Sequence, residues 1–415
     1  MAFLGGALYI TQGQAVDVAG INCFAIRFVE AAAFLRVLNR GELSKVRFTS
    51  VDRWLLIFFG TYVSVMLLRT GTLDKYAVGM AVDGSLVYFT FRSLIANLDE
   101  FRDFMKGTVY VLMPFTLLML IEATTARNPF AAMGGVPEVS YFRDGNVRCS
   151  GSFRSSIGAG SMGAAFMPLF IGFLFDKPQR TWAAIGIMLS LGIVLMSHSS
   201  GPLLATIAAI AAWGCWQWRA KMRTVRWGIV GSLVGLQLVM KAPIWFIFSH
   251  ISDITGGDGW HRSNLIDQFV KHFQQWWLVG MPFDNTGDWA ATQMPWGGVD
   301  VTNYYVSVGI GSGLISLVFL VVMLTKCFGL LGQGLRAARQ LFTMELIDEA
   351  MVWGAGCAIL THVVNFFSVV YWDQSYVIYY IHLAIAVSLS QYLLIAQLGL
   401  EPEMELNISE AKIEC

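Results

Sequence analysis

Arg143, Arg148 and Arg154 crowd into one stretch, RDGNVRCSGSFRSSIGAGSMG, that runs straight into a segment of small residues. A guanidinium is planar, permanently charged and carries a fork of donors, the geometry that grips phosphate or diphosphate at two points at once. Ser155, Ser156, Gly158, Gly160, Ser161 and Gly163 would let a backbone or a lipid come close. On a plainer account the small residues serve helix packing and the arginines snorkel to an interface. Farther along, Arg262 follows Trp260 and His261, while Asp300, Thr302 and Asn303 lead into the Gly-rich VTNYYVSVGIGSG. His261, His272 and Asp300 of the same stretch are the candidates for general acid or base work.

The elements that hold these residues are apolar runs. Trp54 to Thr70, Gly107 to Ala126, Phe153 to Phe175, Thr181 to Ser197, Gly201 to Trp218, Arg226 to Phe248, Tyr304 to Thr325, Ala350 to Val370 and Tyr376 to Ala396 are each long enough to cross a bilayer at ~1.5 Å per residue. Ala15 to Leu38 and Ala77 to Ala96 bring the expected count to about eleven, with Arg27, Glu30, Asp83 and Arg92 turned toward the bundle because a lipid-facing charge costs at least ~2.5 kcal/mol. The chain is 56% hydrophobic and 13% charged, which excludes an ordinary soluble domain and implies one all-α polytopic membrane bundle over 1–415. Formal net charge is +0, so no general field for nucleic acid exists.

Alternate sidedness puts Arg40, Lys45, Arg47 and Arg53, then Arg102 and Lys106, Lys177 and Arg180, Arg219 to Arg226, and Lys326, Arg336 and Arg339 on one face, the cytoplasmic one by the positive-inside rule. Arg127, Arg143, Arg148, Arg154 and Arg262 fall at the other face, where cations should be scarce. An anionic substrate handled outside the cytoplasm accounts for them. The large outer loop, 249–302, places Leu265, Phe269, Phe273, Trp276 and Trp277 at helical spacing, which predicts an amphipathic helix along the outer interface. The acidic stretch 399–415 reads as a cytoplasmic tail. With an odd number of spans Met1 lies outside, or else a helix precedes this reading frame; the second is preferred.

The six cysteines have neither paired nor metal-type spacing, which supports no disulfide framework, no metal site and no cofactor. Ser197-His198-Ser199 lacks an oriented acid and reads as structural. His362, Asn365, His382 and Asp373 are expected to join helices or face a shared cavity.

The order of these features resembles the O-antigen polymerase and ligase superfamily of bacterial envelope glycan enzymes, best from about Arg148 to Ser316. An Arg-rich entry to a span, Ser199-Ser200-Gly201-Pro202 at the start of another, an Arg heading a helix in one large outer loop, and a polar lip before a Gly-rich helix come in sequence. The resemblance implies a GT-C-type helical fold in the bacterial inner membrane. It also implies metal-free transfer or polymerisation of undecaprenyl-diphosphate-linked glycan onto an acceptor glycan or lipid at the periplasmic face, among membrane lipids and with a chain-length regulator as a possible partner. Arg148, Arg154 and Arg262 match the family's outer arginines, and Gly313 its downstream glycine. Thr302-Asn303 falls where ligases carry a His followed by Asn, Ser or Gln. Thr302 does not accept a proton near neutral pH, which favours a polymerase-like or divergent transferase over a lipid A ligase. A transporter or flippase for a lipid-linked glycan, which should show repeated halves, and a non-catalytic export subunit are the competing classes.

Overall fold

The computed structural model describes residues 2–18, 21–255, 258–290, 293–341, 346–372 and 374–399. Asp373, Cys415 and the acidic tail after Gly399 lie outside the described residues. The chain begins with α1 (Ala2–Tyr9), a hairpin of β1 (Ala15–Val18) and β2 (Ile21–Phe24), and α2 (Ala25–Asn39). Then come α3 (Ser50–Thr70), α4 (Lys75–Leu94) and α5 (Leu98–Thr125). A second hairpin, β3 (Tyr141–Arg143) with β4 (Asn146–Arg148), leads into α6 (Ser156–Phe173), α7 (Arg180–Met196), α8 (Ser200–Gly214) and α9 (Met222–Val239). The large loop holds α10 (Ile247–Thr255), α11 (Gly259–Lys271) and α12 (Phe273–Trp276), and the chain closes with α13 (Tyr304–Gln340), α14 (Leu346–Asn365) and α15 (Gln374–Gln397).

Among the described residues seven helices are long and apolar enough to cross a membrane, and up to eight if the bent run 200–252 is one span. This is a multi-pass helical membrane protein, with fewer apolar spans than the run count of about eleven. Ala15 to Leu38 divides into the first hairpin and a 15-residue helix, too short to cross alone. The run 77–96 falls on α4 (Lys75–Leu94), which has a span's length but carries Asp83 and Arg92. The runs at 201–218 and 226–248 become α8, a 3-10 stretch at Cys215–Lys221, α9 and a bend of 93° into the loop. A straight helix of that length would extend ~60 Å. Ser263 Oγ nevertheless donates to the Trp245 carbonyl at 3.0 Å and Arg262 reaches Ser200 at 3.4 Å, so the 3-10 stretch reverses the chain.

α6 is the hub: nearly all its residues are buried, and it packs on α7, α8 and α14. Its small residues explain this, since a Cβ on Gly163 would stand 2.7 Å from the Ser190 carbonyl of α7. The other layer is α3, α4, α13 and α15. At one end of the bundle, cations meet acids. Arg92 binds Asp52 at 3.2 Å, Ser388 at 2.8 Å and Gln391 at 2.6 Å; Arg102 binds Asp176 at 2.9 Å; Glu349 takes both Arg219 and Arg339. The polar residues of α2 and α4 do face protein: Arg27 pairs with Asp83 at 2.9 Å and Tyr376 donates to buried Glu30 at 3.0 Å.

The amphipathic pattern from Arg262 to Val279 is not one interfacial helix. It breaks at His272, whose backbone leaves the helical region between α11 and α12. Leu265, Phe269 and Trp276 pack against Val306 and Ile310 of α13, while Trp260, Phe273 and Trp277 are exposed.

Candidate functional site

The opposite end of the bundle holds the sequence's arginines. Asp144-Gly145 forms a tight turn with both residues at positive φ (52° and 78°), the chemistry that closes a short hairpin. Its register pairs Arg143 with Asn146 and Tyr141 with Arg148. Because strand side chains alternate, these four share one face, so Arg143 and Arg148 point the same way. Buried Glu122 of α5 anchors the chain beyond the hairpin, accepting from the Ser150 and Gly151 amides at 2.9 Å each and from the Ser140 hydroxyl at 2.8 Å. The Cys149 amide donates to the Met196 carbonyl at 3.1 Å and ties the hairpin to the end of α7.

Across from the hairpin, α8 begins. Ser199 precedes its first turn but makes no side-chain cap; its hydroxyl instead accepts from Arg148 at 3.0 Å and lies 3.1 Å from Ser156 of α6. Arg262 reaches Ser200 at 3.4 Å from α11. Arg143, Asp144, Asn146, His198, Ser199 and Ser200 thus surround a pocket of about 400 Å³, with Arg148 and Arg262 behind its two serines. Burial lowers the Arg262 pKa most; Asp258 opposes the shift, and repulsion from Arg143 and Arg148 adds to it. Arg148 is lowered by burial and by Arg143. Its Nε is buried without a hydrogen-bond partner. Among the described residues none of these three arginines is in a salt bridge, in contrast with the other end of the bundle. Guanidiniums converging on an uncapped helix start make a seat for a polyvalent anion.

Arg154 does not join them. The turn through Ser150 to Phe153 sends it to a second cavity, of about 250 Å³, lined by the Arg27–Asp83 pair, Gln12 and many aromatic rings. Between Arg154 and Ser199 runs the first turn of α6, where Ser155 caps the Gly158 amide at 3.2 Å and Ser156 meets Ser199. The remaining sequence candidates scatter. His261 contacts the Asp300 main-chain carbonyl at 2.8 Å, leaving the Asp300 carboxylate exposed. Asn303 caps α13, accepting from the Val306 amide at 3.1 Å, and the Thr302 hydroxyl is buried without a partner. His272 stacks on Trp289 with centroids 5.5 Å apart, far along α11 from Arg262. Among the described residues no three His, Cys, Asp or Glu gather as a metal site.

Two features escaped the sequence reading. His198, read as structural, lines the arginine pocket and holds a left-handed φ of 41°. Its signal was the lone imidazole between serines at a helix start. The second is the aromatic cavity. Tyr371 on its wall bonds His362 Nδ1 at 2.7 Å, and His362 Nε2 lies 3.0 Å from His382 Nδ1, so the two span histidines join α14 to α15 behind that cavity.

No protein-family profile matches the chain, and no curated protein is similar to it.

Proposed function

We propose that the protein is a metal-independent glycan transferase of the O-antigen polymerase and ligase type, acting on an undecaprenyl-diphosphate-linked glycan at the periplasmic face of the bacterial inner membrane. The observation that carries this reading is the arginine pocket: Arg143, Arg148 and Arg262, without salt bridges among the described residues, converge on the N-terminus of α8. A site that keeps two desolvated cations, Arg148 and Arg262, near a third is destabilised until an anion enters, and a diphosphate has the charge and the oxygens to relieve it.

In the reaction the bond between the anomeric carbon and the diphosphate oxygen breaks, and its electron pair leaves on that oxygen, where the guanidiniums and the α8 amides hold the charge. The acceptor hydroxyl bonds to the anomeric carbon and gives up its proton. Asp144 and His198 are the groups on the pocket wall able to take it, which replaces the sequence assignment of that role to His261, His272 or Asp300. Asn303 serves as a helix cap and Arg154 belongs to the neighbouring cavity, so neither contacts the diphosphate in this scheme.

The test is deletion of the gene and complementation with wild type, Arg148→Ala or Arg262→Ala, followed by gels of surface polysaccharide and its lipid-linked precursors. Accumulated short repeats identify a polymerase, and full-length polymer left on its carrier identifies a ligase. Glycans unchanged by deletion refute both.

A further inference from the structure

The second cavity is built from rings that come from distant parts of the chain. Tyr76 of α4 and Trp372 lie with centroids 5.6 Å apart on its rim, half exposed at 44% and 50%. Tyr379 and Tyr380 of α15, 4.9 Å apart, and Tyr304 of α13 lie deeper. Flat faces alone would suit a hydrocarbon or a cation, but the polar groups select between ligands. Tyr379, 2% exposed, presents its ring to the lining, and its hydroxyl is buried without a hydrogen-bond partner. The Arg27–Asp83 pair and Gln12 add donors and acceptors to the same lining. An isoprenoid tail would cover the ion pair and Gln12 with hydrocarbon and offer them no polar contact. A quaternary ammonium would face two guanidiniums, Arg27 and Arg154, against one lining carboxylate, the reverse of what a cation cage requires.

A sugar ring meets every condition: its C–H faces lie against aromatic rings while its hydroxyls reach tyrosine, glutamine and the ion pair. The volume, about 250 Å³, is on the scale of one ring and its immediate neighbour. Position adds to the case. Arg154 on this cavity lies two residues before Ser156, whose hydroxyl is 3.1 Å from Ser199 of the arginine pocket, so at most ~7 Å of chain joins the two linings. We propose that the aromatic cavity is a saccharide subsite that holds a neutral or anionic hexose unit of the glycan beside the diphosphate. Its coupling to transfer rests on the function proposed above; the binding of sugar does not.

The experiment uses the purified full chain in lipid nanodiscs. Saturation-transfer NMR is recorded with glucose, galactose, mannose, rhamnose, N-acetylglucosamine and glucuronate, and thermal melting with inorganic pyrophosphate is measured in parallel. Trp372 and Tyr76 are half exposed, so their removal does not empty the core. Saturable transfer to at least one sugar, weakened about threefold to tenfold by Trp372→Ala or Tyr76→Ala, restored by Trp372→Phe and unchanged by Arg148→Ala, is the expected result. Transfer that ignores Trp372 and Tyr76, or is absent for the whole panel while pyrophosphate still raises the melting temperature, overturns the subsite and leaves the diphosphate reading standing. Competition by choline or by a short isoprenoid alcohol in place of sugar overturns it as well. Sugar transfer with the expected variant pattern but no pyrophosphate effect supports the subsite and removes the diphosphate reading.

Discussion

Arg262→Met separates the stability of the empty protein from its hold on the anion. Arg262 is 9% exposed, has one long hydrogen bond of 3.4 Å to Ser200, and sits within the field of Arg143 and Arg148. Methionine keeps the length of the side chain and removes the desolvated charge, so the empty variant should be more stable than wild type by ~1 kcal/mol or more, the lower end of the gain from replacing buried ionic groups. A charged hydrogen bond to a phosphate oxygen is worth ~1.5–3 kcal/mol, so affinity for pyrophosphate should fall about 10- to 100-fold. At a pyrophosphate concentration ~100 times the wild-type Kd, binding stabilises wild type by ~2.7 kcal/mol and the variant by only ~0.4–1.4 kcal/mol. Thermal melting of both proteins with and without pyrophosphate reads all four states. Burial lowers the Arg262 pKa, yet an arginine stays protonated across pH 6–9, so neither effect should change in that window. An empty variant that melts below wild type while keeping the full pyrophosphate increment would refute the argument and make Arg262 a purely structural residue.

Other parts of the molecule yield three more expected outcomes. Arg92→Ala leaves the buried Asp52 carboxylate its bonds from Thr49 and Tyr88 but takes away its guanidinium, and should destabilise the protein by ~3 kcal/mol, the lower end for a broken buried pair, seen as loss of folded material on size exclusion, with little recovery in Arg92→Lys, which cannot reach Asp52, Ser388 and Gln391 together. His198→Gly should raise stability by roughly 1 kcal/mol through relief of its left-handed backbone while lowering polysaccharide output; unchanged output would exclude the imidazole as the proton acceptor. Burial pushes the Cys149 thiol up to about 12, so its neutral form persists at every pH below that, and maleimide should not label it at pH 7–8 until the protein is denatured, as mass spectrometry of the Cys149 peptide will record.

Hydropathy alone located the spanning helices, because each apolar run signals itself without reference to its neighbours. It miscounted where local polarity or reversal mattered. Ala15 to Leu38 contains a hairpin that uses the first part of the run, and Gly201 to Phe248 contains a turn disguised as continuous helix. The arginine pocket was half legible. Arg143, Arg148 and Arg262 stand out by their chemistry, whereas the Asp144-Gly145 turn that aligns the first two is a short signal inside an irregular stretch. Arg154 groups with them by proximity along the chain, although the turn after Cys149 carries it to the other side of α6. The aromatic cavity left no local trace, since Tyr76, Tyr304 and Tyr379 come from three helices and each alone resembles an ordinary bilayer-edge tyrosine.

The break in α13 has a consequence for how the pocket is kept in shape. At Ser312 and Gly313 the helix leaves its regular path, Gly313 taking a φ of 78° that a side chain would resist. Into the gap come the Leu314 amide bonded to the Trp277 carbonyl at 2.8 Å and the Met281 amide bonded to the Ile310 carbonyl at 2.8 Å, with Arg69 of α3 clasping the carbonyls of Met281 and Ile310. The extramembrane segment is therefore spliced into the span like a graft: lifting it as a flap would tear its main-chain bonds to the broken helix, and Arg262, borne on the same segment, shares the rigidity of the beam it is joined to.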